Sequence, residues 1–292
     1  MDTAAHTANP GITEMDTEAV LATASQNKLL ILLLAMLGAI AAYAASFLLT
    51  PVYRSEILLM NSPVERQSGN LLSSLGSYGG LAALAGFGGL GDDNTQEAIA
   101  VLRSRLLIDQ FVTDKHLLPV LFYKKWDAAK NEWKATDAEK IPTLWDAYEL
   151  FDKSIRKVEL DRRTGLITLS IDWKSKQDAA AWATELVKRA NALLRQKAID
   201  RSAKNLTYLN EQLQKSSEVE VRQAIFRLIE AELKRDMIAR VNEDYAFKVV
   251  DPAYIPKKKI SPKRALFAIF GLLLGASAAL ALLHRRRMTS AA

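Results

Sequence analysis

The chain of 292 residues contains no cysteine and only three histidines, and it has neither a Gly-Lys dipeptide nor a G-x-S-x-G sequence. Without cysteine it forms no disulfide and no thiolate metal site. A Walker A phosphate loop requires Gly-Lys, so that motif is excluded. His6, His116 and His284 are too scattered in sequence to indicate a shared metal or nucleophile site. We therefore predict no enzymatic activity, no catalytic residue, no metal and no cofactor.

A glycine-rich segment, 68–94, carries the one motif that resembles a nucleotide site. Within it Gly86, Gly88 and Gly91 match G-x-G-x-x-G. In dinucleotide-binding folds this motif follows a strand of a βαβ unit, and no such strand leads into it here. We therefore interpret the segment as loosely packed apolar chain and not as a cofactor site.

Two long apolar runs, 29–49 and 265–283, frame the rest of the sequence, and each is free of charged residues. As helices they measure about 30 Å, which is the thickness of the hydrocarbon core of a bilayer. Lipid favours a helix that is apolar on every side. We therefore predict two transmembrane helices, with both termini on one side of the membrane and a polar domain, 50–264, on the other.

A cleaved signal peptide is the alternative interpretation of the first run, because Ala42-Tyr43-Ala44 offers small residues at a plausible spacing. The preceding residues argue against it. They include four acidic residues and a single basic one, Lys28, whereas signal peptides begin with a basic segment. We favour a retained helix, preceded by a mostly disordered segment, 1–28, and a chain that ends in a short tail, 284–292, on the same side of the membrane.

The net charge of +6 is concentrated around the second apolar run. This distribution suits lipid headgroups better than nucleic acid, which would require a basic face on the folded domain. Arg285, Arg286 and Arg287 favour a cytoplasmic C-terminus, whereas five further basic residues precede the run. Long domains cross membranes largely regardless of charge, so charge alone leaves the orientation open.

The pattern of the domain changes from strand to helix along the chain. Alternating apolar residues predict a strand at 52–60 and an antiparallel hairpin at 154–173 with one buried face. A helical stripe predicts one helix at 95–116, with Ile99, Leu102, Leu106 and Val112 on its buried face. The aromatic-rich segment 119–151 is more typical of packing than of ligand binding.

A long helical hairpin, about 178–241, follows. The apolar period changes to 3.6 at Asp178, and Ser217 with Glu220 resembles a capping box that begins the second arm. Two amphipathic arms projecting from a small sheet cannot bury every apolar residue within one chain. We therefore predict that residues toward the tip contact another subunit, and these are Leu206, Leu209, Leu213, Val221 and Ile225.

Two features flank the second apolar run. Gly271 and Gly275 form G-x-x-x-G, and Gly38 with Ala42 on the first run offers a matching surface, which predicts close packing of the two helices. Routine use of glycine in transmembrane helices is the alternative. Before the run, a last strand at 245–251 leads into an extended connector, 252–264, because proline disfavours helix. The connector residues are Asp251, Pro252, Pro256 and Pro262.

Several stretches resemble the polysaccharide co-polymerase family, the Wzz-type chain-length determinant proteins. The most specific is DPAYIPKKKISPKRALFAIFGLLLG, 251–275, which is similar to the family's proline-rich approach to its second span. Similar stretches are PVYRSEILL after the first run, GGLAALAG followed by EAIAVLRSRLLIDQF, and TGLITLSIDW before the long helix. Their order and spacing agree with the family from about Lys28 to Leu283.

The resemblance implies an α+β membrane protein of the bacterial inner membrane. Its two transmembrane helices would flank a periplasmic domain with a small mixed sheet and a long antiparallel helical hairpin. Such proteins form ring-like homo-oligomers and set the modal length of a lipid-linked polysaccharide made by a Wzy-type polymerase. Some relatives carry a tyrosine-kinase domain. This chain has no P-loop, so it is similar to the kinase-free subgroup that acts on lipopolysaccharide O-antigen.

Two other functions are compared with this one. The first is exopolysaccharide or capsule export with a separate tyrosine kinase, which a tyrosine-rich tail would favour, and the tail HRRRMTSAA has none. The second is a two-span sensor, which would need a cytoplasmic signalling domain for which neither terminus has room. The sequence therefore favours regulation of polymer length.

Overall fold

The structure is a computed structural model that describes residues 28–62 and 90–290, with side chains described at 28–62 and 95–283. The predicted disorder of the first residues, Gly86 and Gly88 of the glycine motif, and the last two residues of the tail lie outside the described residues. The chain divides into two compact units, which are treated separately below. Of the described residues, those through Pro51 and from Ile260 onward form the helix-pair unit, and those within Val52–Lys259 form the α+β unit.

Eight α-helices and seven strands are present in the described residues. The helices are α1 Lys28–Ala45, α2 Leu90–Arg103, α3 Arg105–Asp114, α4 Leu118–Leu121, α5 Leu144–Leu150, α6 Lys176–Lys215, α7 Val219–Val241 and α8 Arg264–Ser290. The strands are β1 Val52–Asn61, β2 Trp126–Asp127, β3 Glu132–Trp133, β4 Arg156–Asp161, β5 Leu166–Trp173, β6 Phe247–Asp251 and β7 Lys259–Ser261. A π-helical turn, Phe151–Ile155, leads into β4.

The helix-pair unit contains the two apolar helices. In α1 the whole helix, Lys28–Ala45, and in α8 the stretch Arg264–Leu283 are long and apolar enough to cross a membrane. Helix α1 ends four residues before the predicted boundary at Leu49. The Ser46 hydroxyl donates to the Tyr43 carbonyl at 2.6 Å, and the next amides form short-range turns. Local bonding of this kind competes with the helical ladder and ends it.

The sheet of the α+β unit follows the path β4-β5-β1-β6. Its register pairs Tyr53 with Trp173, Ile57 with Leu169 and Leu59 with Val249. The predicted strand at 52–60, the hairpin at 154–173 and the return strand are therefore confirmed. All three pairings along this path are antiparallel, and the mixed sheet that the resemblance implied stays a prediction.

The core lies between one face of the sheet and the first half of α6. Trp182, Leu186 and Ala190 of that helix are buried against the alternating apolar residues of β1 and β5. Phe111 of α3 completes an aromatic cluster, with its ring 6.0 Å from Trp182 and 5.9 Å from Phe151. Alternation in the strands and the helical period in α6 thus place their apolar faces together.

The single helix predicted at 95–116 is wrong, because two helices meet at Ser104. The Ser104 hydroxyl accepts from the Leu107 amide at 3.2 Å and caps α3. The interruption changes the direction of the following side chains. Leu106, predicted to be buried, is 59% exposed, whereas Leu107 is fully buried. A serine inside an apolar period is thus a helix start here.

The opposite face of β5 is more buried than predicted. Ser170 and Asp172 point away from the core but are 5% and 7% exposed. Arg54 of β1 covers Asp172 with a two-bond ion pair, at 2.7 Å from Nε and 2.8 Å from Nη2. Its hydrogen bond to Asp172 raises the pKa of Arg54. Charged side chains, and not solvent alone, therefore cover this face of the sheet.

The aromatic-rich segment 119–151 divides between packing and exposure. Phe151 is fully buried in the core, and Trp126 and Trp133 stack edge-to-face across the β2–β3 rung. Tyr123 and Trp145 are 42% and 55% exposed. Packing explains the position of Phe151, Trp126 and Trp133. The two exposed rings, Tyr123 and Trp145, each have a cation against one face of the ring.

Candidate functional site

The two apolar helices meet at glycine. A β-carbon at Gly38 would lie 2.5 Å from the Gly271 carbonyl oxygen, and one at Gly275 would lie 2.5 Å from the Leu34 carbonyl oxygen. A β-carbon at Gly271 would meet Ala42 at 2.5 Å. These distances are shorter than any real contact, so no larger residue fits without moving the helices. The structure thus brings Gly38, Ala42, Gly271 and Gly275 together, and their role in membrane packing stays a prediction.

A cation–aromatic contact marks one end of this helix pair. The guanidinium of Arg264, the first residue of α8, lies 3.7 Å from the centre of the Phe47 ring. Phe47 follows the end of α1 and is 56% exposed. A charge held on an aromatic ring in this way is typical of the boundary between an apolar helix and water.

The helical hairpin is the second feature. Helix α6 has 40 residues and α7 has 23, so the hairpin predicted at about 178–241 is confirmed as Lys176–Val241. Ile225, Glu232 and Ala239 are the buried residues of α7, and they recur every seven residues. This spacing defines a seam along which α7 packs on α6.

A polar cluster lies in the middle of the seam. One carboxylate oxygen of Glu232 accepts from Ser202 at 3.1 Å and from Asn205 at 2.9 Å, and the other accepts from Arg235 at 3.1 Å. Glu232 is 5% exposed, so these donors replace the water that its carboxylate oxygens would otherwise bind. Ser202 and Asn205 lie on the other arm, α6, so these two bonds form in one alignment of the arms and fix the register of the hairpin.

The capping box predicted at Ser217 and Glu220 is wrong. Glu218 is the N-cap of α7 and makes no side-chain capping bond. The turn is instead stabilised by Arg222 of α7. Its Nη1 donates to the carbonyls of Leu213 at 3.3 Å and Ser216 at 3.4 Å. An arginine that satisfies the last carbonyls of α6 thus replaces the expected serine.

The predicted subunit contacts fall into two groups. Ile225 is 8% exposed and lies in the seam, so the chain itself buries it. Leu206, Leu209 and Leu213 are partly buried, and Val221 is 42% exposed. Contact of these residues with another subunit stays a prediction.

A further apolar surface on α7 was not predicted as a set. Its residues recur at intervals of seven, seven, four and four and therefore share one helix face, away from the seam. We call this surface the α7 stripe, and its residues are Val219, Phe226, Leu233, Met237 and Val241, between 47% and 79% exposed. The spacing of these apolar residues is present in the sequence. It could not be recognised as a separate exposed face until the residues of α7 that pack on α6 were known.

The connector begins at the sheet. Asp251 ends β6 and pairs with Leu58 of β1, after which the chain leaves regular structure at Pro252. The Ser55 hydroxyl donates to the Tyr254 carbonyl at 2.7 Å, and Pro256 is buried. In the helix-pair unit, Pro262 is buried and follows a cis peptide bond.

Two buried polar residues that the sequence did not single out position these elements. The side-chain oxygen of Asn191 accepts from the amides of Ala246 at 3.1 Å and Phe247 at 2.8 Å, and its nitrogen donates to the Phe247 carbonyl at 2.8 Å. This residue fixes the start of β6 against α6. No sequence signal marks it, because a lone asparagine in a helix is usually exposed.

Arg156 is the other residue. It is 4% exposed, and it donates to the carbonyls of Leu102 at 2.8 Å and Arg103 at 2.9 Å. Burial lowers the pKa of Arg156, while Asp152 opposes the shift. The guanidinium thus satisfies the C-terminal carbonyls of α2 where the helix breaks at Ser104.

No metal-binding cluster is present in the part of the chain that the structure describes: no three His, Asp or Glu side chains lie close enough to hold an ion. His116 lies just past α3 with a positive φ of 50°, as a helix-ending residue.

The family model of Wzz, chain length determinant protein, matches residues 13–115. This match confirms the resemblance to the chain-length determinant family, over about a third of the chain. Among curated proteins, no sequence matches the chain.

Two solved structures are similar to the chain. One is described as a full-length bacterial polysaccharide co-polymerase, with 13% identity and a TM-score of 0.40, covering 96% of this chain and 98% of that one. The other is a fragment of WzzB, a polysaccharide co-polymerase from Salmonella Typhimurium, with 10% identity and a TM-score of 0.34, covering 72% of this chain and 100% of that one.

Proposed function

We propose, from the premise that residues 13–115 match the Wzz chain-length determinant family, that this protein regulates the modal length of a lipid-linked surface polysaccharide. The polymer is of the lipopolysaccharide O-antigen type and is made by a Wzy-type polymerase. The protein acts without catalysis, as a multi-pass component of the bacterial inner membrane. The family match is the observation that carries the proposal.

The membrane placement is supported by two helices of sufficient length and apolarity at the two ends of the described chain. In this proposal 29–49 and 265–283 span the membrane, residues 50–264 form the periplasmic domain, and both termini are cytoplasmic. Alkaline phosphatase fused near Lys215 is then active, whereas a fusion at Ala292 is inactive. The reverse pattern overturns the topology.

Assembly into a closed ring of identical subunits is supported by the α7 stripe. Five exposed apolar side chains on one helix face are costly in water, and a neighbouring subunit would cover them. Contacts between unlike surfaces of identical subunits close into a ring when the rotation between neighbours permits it. Discrete oligomers in detergent support this assembly, and a wild-type monomer that restores normal polymer length in cells contradicts it.

The function itself is tested with a deletion strain, by gel electrophoresis of its surface polysaccharide. Polymer that is still made but has lost its preferred length supports regulation. Complete loss of polymer favours the alternative, exopolysaccharide or capsule export with a separate tyrosine kinase. Restoration of the ladder by the plasmid-borne wild-type gene is the control in both cases.

A further inference from the structure

A groove runs between the two helices of the helix-pair unit. It has a volume of about 550 Å³, within the range of ~300–1,000 Å³ that is typical of ligand pockets. Helix α1 supplies one wall, which includes Met36, Ile40 and Tyr43, and α8 supplies the other, which includes Ala268 and Leu272. Every lining side chain is apolar except for the Tyr43 hydroxyl. This α1–α8 groove therefore suits a hydrocarbon chain.

Both walls of the α1–α8 groove lead to one cation. On α8, Arg264, Ala268 and Leu272 recur every four residues, so they share one helix face. On α1, Tyr43 lines the groove, and its ring meets that of Phe47 edge-to-face at 5.4 Å. The Arg264 guanidinium lies 3.7 Å from the centre of the same Phe47 ring. The guanidinium thus lies one helical turn beyond the lining residue of α8, and ring contacts connect it to the lining of α1.

The charge of Arg264 has no counterion within its unit. The described residues of the helix-pair unit contain no Asp or Glu, and all their charged residues are basic. Arg264 makes no hydrogen bond or ion pair with any residue that the structure describes. Its Nε is enclosed, whereas its two terminal nitrogens are not, and the residue is partly exposed. A cation without a carboxylate at the end of an apolar helix favours an anion from outside the chain.

We infer that the α1–α8 groove and Arg264 together bind an anionic phospholipid, with its phosphate on the guanidinium and one acyl chain in the groove. A guanidinium presents parallel N–H donors that match two oxygens of one phosphate. The Phe47 ring restricts the arginine side chain, which lowers the entropy lost on binding. The assignment rests on the proposed membrane placement of the two helices, because a bilayer supplies the lipid.

Net charge selects among the lipids that could fill the α1–α8 groove. A zwitterionic lipid carries a cation of its own beside the phosphate, and the basic residues of this unit repel it. A lipid such as phosphatidylglycerol has the phosphate without that cation. The groove by itself accepts any acyl chain, so Arg264 determines the preference.

The headgroup contact is tested with the full-length protein in nanodiscs of phosphatidylcholine that contain phosphatidylglycerol as the minor lipid. Native mass spectrometry counts the lipids that each subunit retains on release, and we expect the wild type to retain one phosphatidylglycerol. Arg264→Gln should lower the ratio of lipid-bound to lipid-free subunits about tenfold, as for the loss of one charge-assisted hydrogen bond. Lys263→Gln removes an equal charge from the preceding, exposed residue and leaves the ratio unchanged.

The contribution of the groove is tested by filling it. Ala268→Phe places a ring between the two walls and should lower the same ratio. Ala278→Phe is the matched control, because it makes the same change at an exposed residue of α8 and should leave the ratio unchanged. If Ala268→Phe lowers the melting temperature, Leu272→Trp replaces it, since Leu272 lines the groove and is 47% exposed.

Three results would overturn the site. The first is equal retention of phosphatidylcholine and phosphatidylglycerol by the wild type, and the second is retention that Arg264→Gln leaves unchanged. The third is retention that is insensitive to a filled groove. A polyprenyl phosphate that is retained from native membranes in place of a phospholipid would overturn the phospholipid assignment. Complete loss of polymer in the deletion strain would contradict the proposed function but leave the lipid measurements unchanged.

Discussion

The two halves of α6 face different environments although they belong to one continuous helix. The first half of α6 packs on the sheet through Trp182, Leu186 and Ala190, all buried. The second half has only α7 beside it, and α7 leaves the α7 stripe exposed. Stability of the first half is therefore intrinsic to the chain, whereas the second half is only partly covered. The same amphipathic sequence can build a core or an interface, depending on what lies next to it.

The largest expected loss of stability is in the first of these regions. Phe111→Ala empties a fully buried ring site between Phe151 and Trp182 and should destabilise the α+β unit by about 3–5 kcal/mol. Phe226→Ala is the matched control, because Phe226 lies on the α7 stripe and is 51% exposed. Thermal unfolding of the full chain in detergent measures both. Equal losses would contradict the contrast between the two regions.

The next effect concerns the bond between α6 and the return strand. Asn191→Ala leaves the amides of Ala246 and Phe247 without their acceptor, and we expect a loss of about 3 kcal/mol. Asn210→Ala makes the same change on the exposed part of α6 and should be neutral or slightly stabilising, because alanine favours helix. Faster amide exchange at β6 in the first variant alone would locate the effect. Unchanged exchange there would rule out this role.

A smaller and more local effect is expected in the helix-pair unit. Leucine at Gly271 cannot fit against Gly38 and Ala42, so the two helices must separate. We expect a lower melting temperature in detergent and an altered polysaccharide ladder in cells. Ala278→Leu is the control, because Ala278 is exposed on the same helix. If both variants behave as wild type, the glycines are ordinary transmembrane composition.

The elements with a strong period were predictable from the sequence, and those that depend on one polar side chain were not. Alternation located β1, β4 and β5, and the helical period located α6 and α7. The break at Ser104 was missed because the apolar residues continue across it, and the capping box at Ser217 failed because Arg222 satisfies the turn from α7. These bonds join residues only three to nine positions apart, but the apolar period that locates the helices carries no sign of them.

The candidate surfaces also divide into one that was predictable from the sequence and one that was not. The glycine contact was predicted from spacing, because G-x-x-x-G places both residues on one helix face and Gly38 with Ala42 offers a matching surface. Ile225 and the residues of the α7 stripe are all apolar and lie on the same helix, yet one faces the seam and the others do not. That difference depends on the register of the two arms, which Glu232 fixes through Ser202 and Asn205. The composition of α7 could not predict this register.

The smallest change in stability, and the most direct test of the interface, is expected from the α7 stripe. Leu233→Ser with Met237→Ser replaces two residues that are 47% and 65% exposed, so the single chain loses little buried area and should keep its helicity and melting temperature within about 0.5 kcal/mol of wild type. If a neighbouring subunit covers the stripe, the variant should form fewer oligomers in detergent. Ile225→Ser is the contrasting change, because it opens the seam and should lower helicity first. Size measurement by light scattering, beside circular dichroism, separates the two. Intact oligomers in the Leu233 and Met237 variant would place the subunit contact on another face of the hairpin.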